Sequence, residues 1–459
     1  MFLRRIFPDV SIVNRVYVRV FSMLPIETVL KDSEQVTRLF SHLEFDGKKL
    51  NHQPGSVLGS TALIAGTTVG AGILALPAVT LPSGIIPSTS GLIAVWLYAL
   101  VSGLLVAEVT LNTMRTEGRV SIGFLGVVEK ILGKLGAKMA GGAYLFMHYA
   151  LLVAYITQGG EILGYAAAKI WSVQILPTWM GTTTFTLLFG GIMYLGREKF
   201  IEKLNSAFVG IVIVSFLGLL FFAGRHIQSA QLLFQNWSAL GSAISVMSVA
   251  LFFQNVVPLV VTQLEGDAGK IRQSILIGSV IPLIMFLAWN AVILGSVSPD
   301  MRYDTSDGRT VFDPLQILRA GGAGEWLGVL VSIFSEFAIV TSFIGFVYGL
   351  LDLFGDIFLA QSKLSNRFPL YSLVLFPPMT LGTLNPSIFF TALDYTGTFS
   401  ISVLGGIIPA LMSWKQRQEQ ENSDSTNQLL VPGGKVTLIV MIGVALTMMG
   451  RQILVIYTE

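Results

Sequence analysis

The residues with the clearest chemistry lie in a run of small and hydroxyl-bearing side chains that begins at Gly66. From Gly66 to Pro77 the sequence reads Gly-Thr-Thr-Val-Gly-Ala-Gly-Ile-Leu-Ala-Leu-Pro, inside an apolar segment from about Ser56 to Leu81. Glycine permits backbone torsions that other residues resist, and irregular backbone in a membrane is tolerated only where it lines a cavity or is buried in protein. The run therefore predicts a broken helix whose free N–H groups bind a carboxylate, while free carbonyls or a threonine hydroxyl hold an amine or a cation.

Five residues of this run are assigned to the predicted binding site. They are Thr67, Val69, Gly70, Ala71 and Gly72. The alternative interpretation is close packing between helices, for which small residues four apart, here Gly66 and Gly70, are typical. Packing alone would not need three glycines and a terminal proline together, so we favour a binding site.

A second apolar segment also carries groups that disturb a membrane helix. From Phe252 to Pro258 it reads Phe-Phe-Gln-Asn-Val-Val-Pro. Proline removes a backbone donor and clashes with the preceding turn, and amides at membrane depth need partners. We predict that the rings of Phe252 and Phe253 gate the site and that the amides of Gln254 and Asn255 contact the bound molecule. The alternative is core packing, with the amides bridging helices.

The composition indicates a polytopic membrane protein. Of 459 residues, 53% are hydrophobic and only 12% are charged, with a mean hydropathy of +0.71, whereas soluble proteins carry about 25% charged residues. The absence of cysteine excludes disulfides and thiolate metal sites, and the four histidines are too scattered to indicate a metal cluster. No Gly-x4-Gly-Lys-Ser/Thr run indicates nucleotide binding, so we expect neither a cofactor nor a nucleic acid partner.

Eleven membrane spans are predicted, because about 20 apolar residues cross a bilayer. The spans cover residues 57–81, 88–114, 139–165, 181–196, 204–224, 239–263, 273–296, 325–357, 369–386, 394–414 and 436–457. Most of the 29 lysines and arginines fall on one side if the N-terminus is inside, which predicts a cytosolic (or stromal or matrix) N-terminus.

The two predicted breaks fall in spans one and six, at corresponding places in two sets of five helices. Broken helices at matching positions indicate an inverted repeat around a transport site. We therefore predict a transmembrane domain over 56–457, with repeats at about 56–224 and 239–414 and an accessory helix at 436–457. Residues 1–55 form a basic N-terminal arm whose start is either transit-like or an ordinary cytoplasmic tail. The plasma membrane and an organellar inner envelope both remain open.

The order of motifs along the chain resembles the tryptophan/tyrosine permeases, the hydroxy and aromatic amino acid permease family. The run from Gly66 to Pro77 resembles the opening signature of that family, and the resemblance covers about residues 55 to 457. The further matching segments are residues 107–109, 252–258, 338–345, 349–352, 376–378, 392–397 and 407–411.

The resemblance implies an all-α LeuT-like 5+5 fold and proton-coupled uptake of an aromatic amino acid, tyrosine or tryptophan, by alternating access. The substrate would lie between spans one, three, six and eight, where Gln158 of span three would face the cavity. The alternative is another neutral or hydroxy amino acid, with a different coupling ion or facilitated exchange. A channel would need rings of charge or a carbonyl filter, and an enzyme would need clustered catalytic groups; the sequence offers neither.

Four residues are candidates for coupling to an ion or proton. Glu336 lies about 16 Å into span eight at 1.5 Å per residue, and a carboxylate at that depth is a functional hypothesis by default, the alternative being a structural brace. Glu108 matches a Glu-Val pair of the family, which implies a proton or gating role. Thr341 and Ser342 match the region where sodium-coupled members place a cation, although such hydroxyls often only bond the preceding turn.

Overall fold

The described part of the chain is helical except for one short hairpin. The computed structural model describes residues 43–45, 50–52, 55–70, 72–117, 123–171, 177–224, 227, 233–296, 325–355, 367–385, 388–421 and 428–458. The hairpin pairs β1 (Leu43–Phe45) with β2 (Leu50–His52) in antiparallel register. An all-helical membrane domain, as predicted, therefore follows this hairpin.

The helices follow the predicted apolar segments. They are α1 (Val57–Thr68), α2 (Gly72–Thr80), α3 (Ile85–Glu117), α4 (Phe124–Trp171), α5 (Thr178–Leu195), α6 (Glu198–Ala223), α7 (Leu240–Ala250), α8 (Val257–Gln263), α9 (Ala268–Ser296), α10 (Glu325–Phe354), α11 (Phe368–Leu384), α12 (Ile388–Tyr395), a π-helical segment (Thr396–Ile407), α13 (Ile408–Glu421) and α14 (Gly434–Thr458).

Eight helices of the described residues are long and apolar enough to cross a membrane, and the bent pair α1–α2 would make a ninth. The predicted fourth and ninth spans correspond to α5, with 18 residues, and α11, with 17 residues. The prediction of eleven spans therefore stays a prediction, because α11 is apolar but short, and α5 is not among the helices that are apolar enough to cross a membrane.

Long apolar helices with few charges bury one stripe and leave the other apolar face outward, as a lipid environment requires. The buried stripes pack in recurring pairs: α9 lies along α1, α3 along α7, α10 along α4 and α6, and the π-helical segment along α4 and α14. Two short interruptions separate helices within this packing, one between α1 and α2 and the other between α7 and α8.

The π-helical segment was not predicted. It widens the backbone over Thr396–Ile407, and π-helical turns are rare and often mark functional sites. Gly397 within it lies so close to the Ser245 carbonyl of α7 that no side chain would fit. The π-helical segment, which lies in the tenth predicted span, is therefore in close backbone contact with α7 at Gly397.

Candidate functional site

The first break lies where the glycine-rich run predicted it. Helix α1 ends at Thr68, α2 begins at Gly72, and the two axes meet at 53°. The Val69 N–H donates to the Ala65 carbonyl at 2.9 Å and closes the last turn of α1. The Ile73 N–H donates to the Gly70 carbonyl at 3.2 Å and opens α2. Ala71 lies outside the described residues.

Two glycines of this break make close contacts with neighbouring helices. A Cβ atom built on Gly70 would lie 2.9 Å from Ser342 Oγ of α10, and one built on Gly72 would lie 3.0 Å from the Cα of Ala250 in α7. Both distances are shorter than ordinary contacts, so these positions need glycine for packing. The same contacts bring the first break against α10 and against the start of the second break.

The Thr67 hydroxyl is partly committed to its own helix. It donates to the Leu63 carbonyl at 2.8 Å, as Thr68 does to Ile64 at 2.7 Å. Thr67 is exposed while Thr68 is buried. A hydroxyl that donates still has acceptor lone pairs, so Thr67 remains able to accept a hydrogen bond from a bound amine.

The second break is a sequence of three local structures. Helix α7 ends at Ala250, Phe252 and Phe253 are non-helical, and Gln254–Val256 form a single 3-10 turn before α8 begins at Val257. Pro258 falls in the first turn of α8, where its missing N–H would have no intrahelical partner anyway. The proline thus sets the restart of the helix rather than kinking it.

Gln254 braces this break. Its Oε1 accepts a hydrogen bond from the Phe253 N–H at 3.0 Å, and its Nε2 donates to the Ala99 carbonyl of α3 at 3.2 Å. The side chain is only 2% exposed. This geometry is the bridging arrangement that the sequence left as an alternative; substrate contact by Gln254 stays a prediction.

Asn255 and Gln158 present amide atoms without a partner among the described residues. Asn255 Oδ1 and Gln158 Nε2 are both buried and make no hydrogen bond there. Helix α4, which carries Gln158, packs against the 3-10 turn that carries Asn255. Because an unpaired buried amide is costly, one acceptor and one donor are available for a bound polar molecule.

The two adjacent phenylalanines have different surroundings. Phe253 is 1% exposed, and its ring covers Gly103 of α3, where an added Cβ would lie 2.5 Å from the ring edge. Phe252 is half-buried and faces Gly405 of the π-helical segment. Of the two rings predicted to form a gate, only Phe252 retains open surface.

Sequence reasoning missed the hydroxyls of the π-helical segment. Thr396, Ser400 and Ser402 have buried hydroxyl oxygens with no hydrogen-bond partner in the described part of the chain. The signal that could have found them is the density of Gly, Ser and Thr between residues 396 and 406.

Trp289 of α9 was also missed as part of the site. It is fully buried, and its Nε1–H donates to the Ile73 carbonyl at 3.0 Å, which fixes the start of α2 from behind.

Glu108 occupies a saturated polar site at the far end of α3. Its carboxylate accepts hydrogen bonds from Arg417 Nε at 2.8 Å and Nη2 at 3.0 Å, and from Ser413 Oγ at 3.0 Å. It also accepts the backbone N–H groups of Leu430 at 2.8 Å and Val431 at 3.1 Å. This network, which we call the clasp (Glu108, Ser413, Arg417, Leu430 and Val431), joins α3, α13 and the segment that enters α14.

The remaining coupling candidates lie on α10. Thr341 and Ser342 both donate to the Ala338 carbonyl, at 3.0 and 2.9 Å, as such hydroxyls commonly do. Ser342 nevertheless adjoins Gly70. Glu336 is half-buried and lies six residues before Ser342 on α10. Their coupling roles, like that of Glu108, stay predictions.

The chain matches the family described as the tryptophan/tyrosine permease family over residues 53–450. It is similar to a tyrosine-specific transport system 2 of Haemophilus influenzae, with 28% identity over 84% of this chain and 94% of the relative. It is also similar to a tryptophan-specific transport protein of the same organism, with 29% identity over 79% and 88%. A further relative, glutamine transporter 2 of Aliivibrio fischeri, is 23% identical over 83% and 95%.

Proposed function

The chain belongs to the tryptophan/tyrosine permease family, and on this premise we propose that it is a secondary active transporter of tyrosine or tryptophan, driven by proton symport. Relatives that are named as tyrosine and tryptophan transport proteins along most of the chain support the substrate class. The observation that carries the site is the contact between the two helix breaks at Gly72 and Ala250.

The break geometry supports binding of an amino acid backbone. The free N–H groups at the start of α2 carry the positive end of a helix dipole, which favours a carboxylate. The last carbonyls of α1, the Thr67 hydroxyl and Asn255 Oδ1 are acceptors for an ammonium group. Phe252 then offers its open face to an aromatic side chain at typical ring-to-ring geometry, and Gln158 Nε2 is a donor for the carboxylate or a phenol oxygen.

The packing supports a LeuT-like inverted repeat. If spans one to five and six to ten are equivalent, the contact of α9 with α1 corresponds to that of α3 with α7, and the contact of α10 with α6 corresponds to that of the π-helical segment with α4. Each of these pairs packs together. Gly278 of α9 receives Ile64 of α1 just as Gly103 of α3 receives Phe253. Alternating access would follow from rocking of one set against the other.

Coupling and gating are assigned to different residues in this proposal. Glu336 binds the proton within the membrane, with Thr341 and Ser342 beside the first break as helpers. Glu108 gates the end of the molecule that carries most positive charges, which we place on the cytosolic (or stromal or matrix) side, because its clasp must loosen for α3 and α13 to separate. The oligomeric state is not part of the proposal.

A second candidate substrate is glutamine or another neutral amino acid. The relative named as a glutamine transporter supports it, and so do the buried amide atoms of Asn255 and Gln158. A substrate carboxamide would pair with both, since it supplies one donor and one acceptor.

Binding competition on the purified protein tests the substrate. Labelled tyrosine is bound at equilibrium and displaced by unlabelled tyrosine, tryptophan, glutamine or alanine. We expect tyrosine and tryptophan to displace it and alanine not to, because alanine lacks the ring that Phe252 contacts. Displacement by glutamine at lower concentration than tryptophan would favour the second candidate. Absence of saturable tyrosine binding by folded protein would refute the aromatic assignment.

A further inference from the structure

A buried histidine lies between α4 and α10, away from every residue used above. His148 is 3% exposed, and its Nδ1 lies 2.9 Å from the Tyr144 carbonyl. Since a carbonyl only accepts, Nδ1 carries the hydrogen and donates it, and in the neutral ring Nε2 holds the lone pair. Nε2 makes no hydrogen bond among the described residues.

The lone pair of His148 points at a place where the chain has no side chain. A Cβ atom built on Gly349 of α10 would lie 2.5 Å from Nε2 and 3.3 Å from the Tyr144 hydroxyl. The two side chains thus converge over the Gly349 backbone, and any other residue there would displace them. The Tyr144 ring also lies against the imidazole, with centroids 3.9 Å apart.

The cluster extends along α10 from exposed Asp352 towards the first break. Asp352, one turn beyond Gly349, is exposed and lies near enough to Tyr144 to act on it electrostatically. In the other direction the Phe346 ring contacts His148 at 4.8 Å, and Ser342, one turn further along α10, adjoins Gly70. The distance along α10 from Ser342 to Gly349 is about 10 Å at 1.5 Å per residue.

Several ionisable groups on helices packed against α4 have partners of their own. Tyr371 of α11 donates to the Met193 carbonyl, Asp394 of α12 accepts from Ser245 and Gln452, Lys415 of α13 donates to the Ile131 carbonyl, and Arg417 of α13 pairs with Glu108. Tyr194 of α5 makes edge contacts with Phe368 and Tyr371, and Tyr395 of α12 lies against Phe399. Tyr155 of α4 contacts Phe346, which also contacts His148. Of the titratable groups, Tyr144 contacts the His148 ring and Asp352 acts electrostatically on Tyr144. Glu336 and Tyr348 are the other ionisable side chains of α10 between residues 328 and 354.

We propose that His148, with Tyr144 and Asp352, is a second proton-binding site of the transport cycle, placed along α10 between Glu336 and Asp352. The proton adds to the Nε2 lone pair and gives an imidazolium, which keeps its Nδ1–H bond to the Tyr144 carbonyl. The adjoining ring faces of Tyr144 and Phe346 and the charge of Asp352 stabilise that cation. Release returns the proton along Tyr144 towards exposed Asp352. The inference rests on the proposed proton symport.

The cluster is coupled to the substrate site through α10. Ser342 at the first break and Gly349 under His148 belong to one continuous helix. A movement of α10 that follows substrate binding at Gly70 therefore changes the space beneath Nε2. An ionisable side chain buried in a membrane helix is expected to serve such a role.

His148→Gln tests the proposal, because glutamine retains hydrogen-bonding groups but cannot take up a proton near neutral pH. Purified protein in proteoliposomes is assayed for tyrosine accumulation under a gradient of one pH unit, inside alkaline, and for tyrosine counterflow without a gradient. A one-unit gradient drives at most about tenfold accumulation at one proton per substrate. We expect the wild type to accumulate and the variant to equilibrate only, with counterflow within about twofold of wild type.

Two further variants keep the test decisive. His52→Gln makes the same exchange on strand β2 and should accumulate tyrosine like the wild type. Gly349→Ala pushes against Nε2 without removing the imidazole and should lower accumulation more than counterflow, so it serves if His148→Gln does not fold. Wild-type-like accumulation by folded His148→Gln would overturn the inference, as would equal loss of accumulation and counterflow in folded protein; if His148→Gln does not fold, the same outcomes in Gly349→Ala decide. If the wild type itself shows no gradient dependence, proton symport fails, and this inference with it.

Discussion

Gly66 and Gly70 are four residues apart in the same run, yet their surroundings differ. A Cβ on Gly70 would press on Ser342 Oγ, whereas nothing lies within 4 Å of one on Gly66. We expect Gly70→Ala to lower tyrosine uptake about tenfold, since overpacking of this size costs about 1–3 kcal/mol. Gly66→Ala is the matched control and should retain near-normal uptake. The measurement is initial uptake rate at equal protein in the membrane.

Removing the Ser342 hydroxyl should restore part of the loss. In the double variant Gly70→Ala with Ser342→Ala, the added methyl group meets no hydroxyl oxygen, so uptake should rise above that of Gly70→Ala alone. No gain in the double variant would show that Gly70 serves the bound substrate through its backbone rather than through this contact.

Substitutions of the two amides in the second break should have different effects, one on stability and the other on substrate binding. Gln254→Leu removes two hydrogen bonds and leaves the buried Phe253 N–H without its acceptor, so it should lower the free energy of unfolding by about 2 kcal/mol. Asn255→Leu removes an unpaired oxygen, so stability should stay or rise, while tyrosine affinity falls about tenfold. Thermal unfolding and equilibrium binding of the two variants, side by side, make the comparison. The reverse pattern would contradict the assignment.

These residues also show what local sequence can predict. The presence of two amides beside Pro258 indicated a break, because a proline and amides disturb a membrane helix wherever they occur. Which amide braces and which stays open could not be predicted, because the Gln254 partner is the Ala99 carbonyl, 155 positions away. Similarly, Gly70 and Gly72 were predicted to unwind the chain, but their contacts with Ser342 and Ala250 depend on tertiary packing.

At the scale of elements, the clasp joins parts of the chain that must separate if this end of the molecule opens. Glu108 is fully buried and bound by a bidentate arginine and two backbone N–H groups. Such charge-assisted bonds are stronger than neutral ones. Glu108→Gln removes the charge, so we expect the clasp to loosen and the Glu108 face to be open for more of the time.

A single introduced cysteine can report that opening, because the chain has no native cysteine. In Thr67→Cys, an impermeant thiol reagent applied from the Glu108 face should react several times faster when Glu108→Gln is also present, and tyrosine should slow the reaction. Glu129→Gln, on the exposed face of α4, is the control and should leave the rate unchanged. Equal rates in all three proteins would contradict a gating role.

Broken helices were predictable as elements, while the π-helical segment was not. A break in α1–α2 follows from three glycines in one run, which act locally on the backbone. The π-helical backbone of Thr396–Ile407 fits around the Ser245 carbonyl at Gly397 and around Phe252 and Gln254 at Gly405. These neighbours are about 150 positions away along the chain, so the local sequence does not show that they are in contact.

At the scale of the whole molecule, two glycines each lie against a residue of the broken span in the other predicted repeat. Gly103 receives Phe253, and Gly278 receives Ile64, each from the broken helix of the other repeat. If the repeat is real, Gly103→Ala and Gly278→Ala should each lower the free energy of unfolding by about 1–3 kcal/mol through overpacking. Gly210→Ala, on open surface of α6, should not. Thermal unfolding in one detergent compares the three, and a cost at only one of the two sites would weaken the symmetry.

Composition alone predicted a membrane protein, because a chain with 53% hydrophobic and 12% charged residues is suited to a lipid bilayer rather than to water. Composition did not determine the exact number of spans, because α5 and α11 are short and carry polar or proline residues. The His148 cluster was also beyond the sequence, because Tyr144, His148 and Gly349 converge only when α4 and α10 pack together.

The most direct test of proton-coupled aromatic amino acid transport is uptake of labelled tyrosine into proteoliposomes, with and without a pH gradient, inside alkaline. Proton symport predicts accumulation above equilibrium only with the gradient, competition by tryptophan, and collapse on addition of a protonophore. Saturable exchange that ignores the gradient would contradict proton symport, and the absence of any tyrosine or tryptophan uptake by folded protein would contradict the substrate.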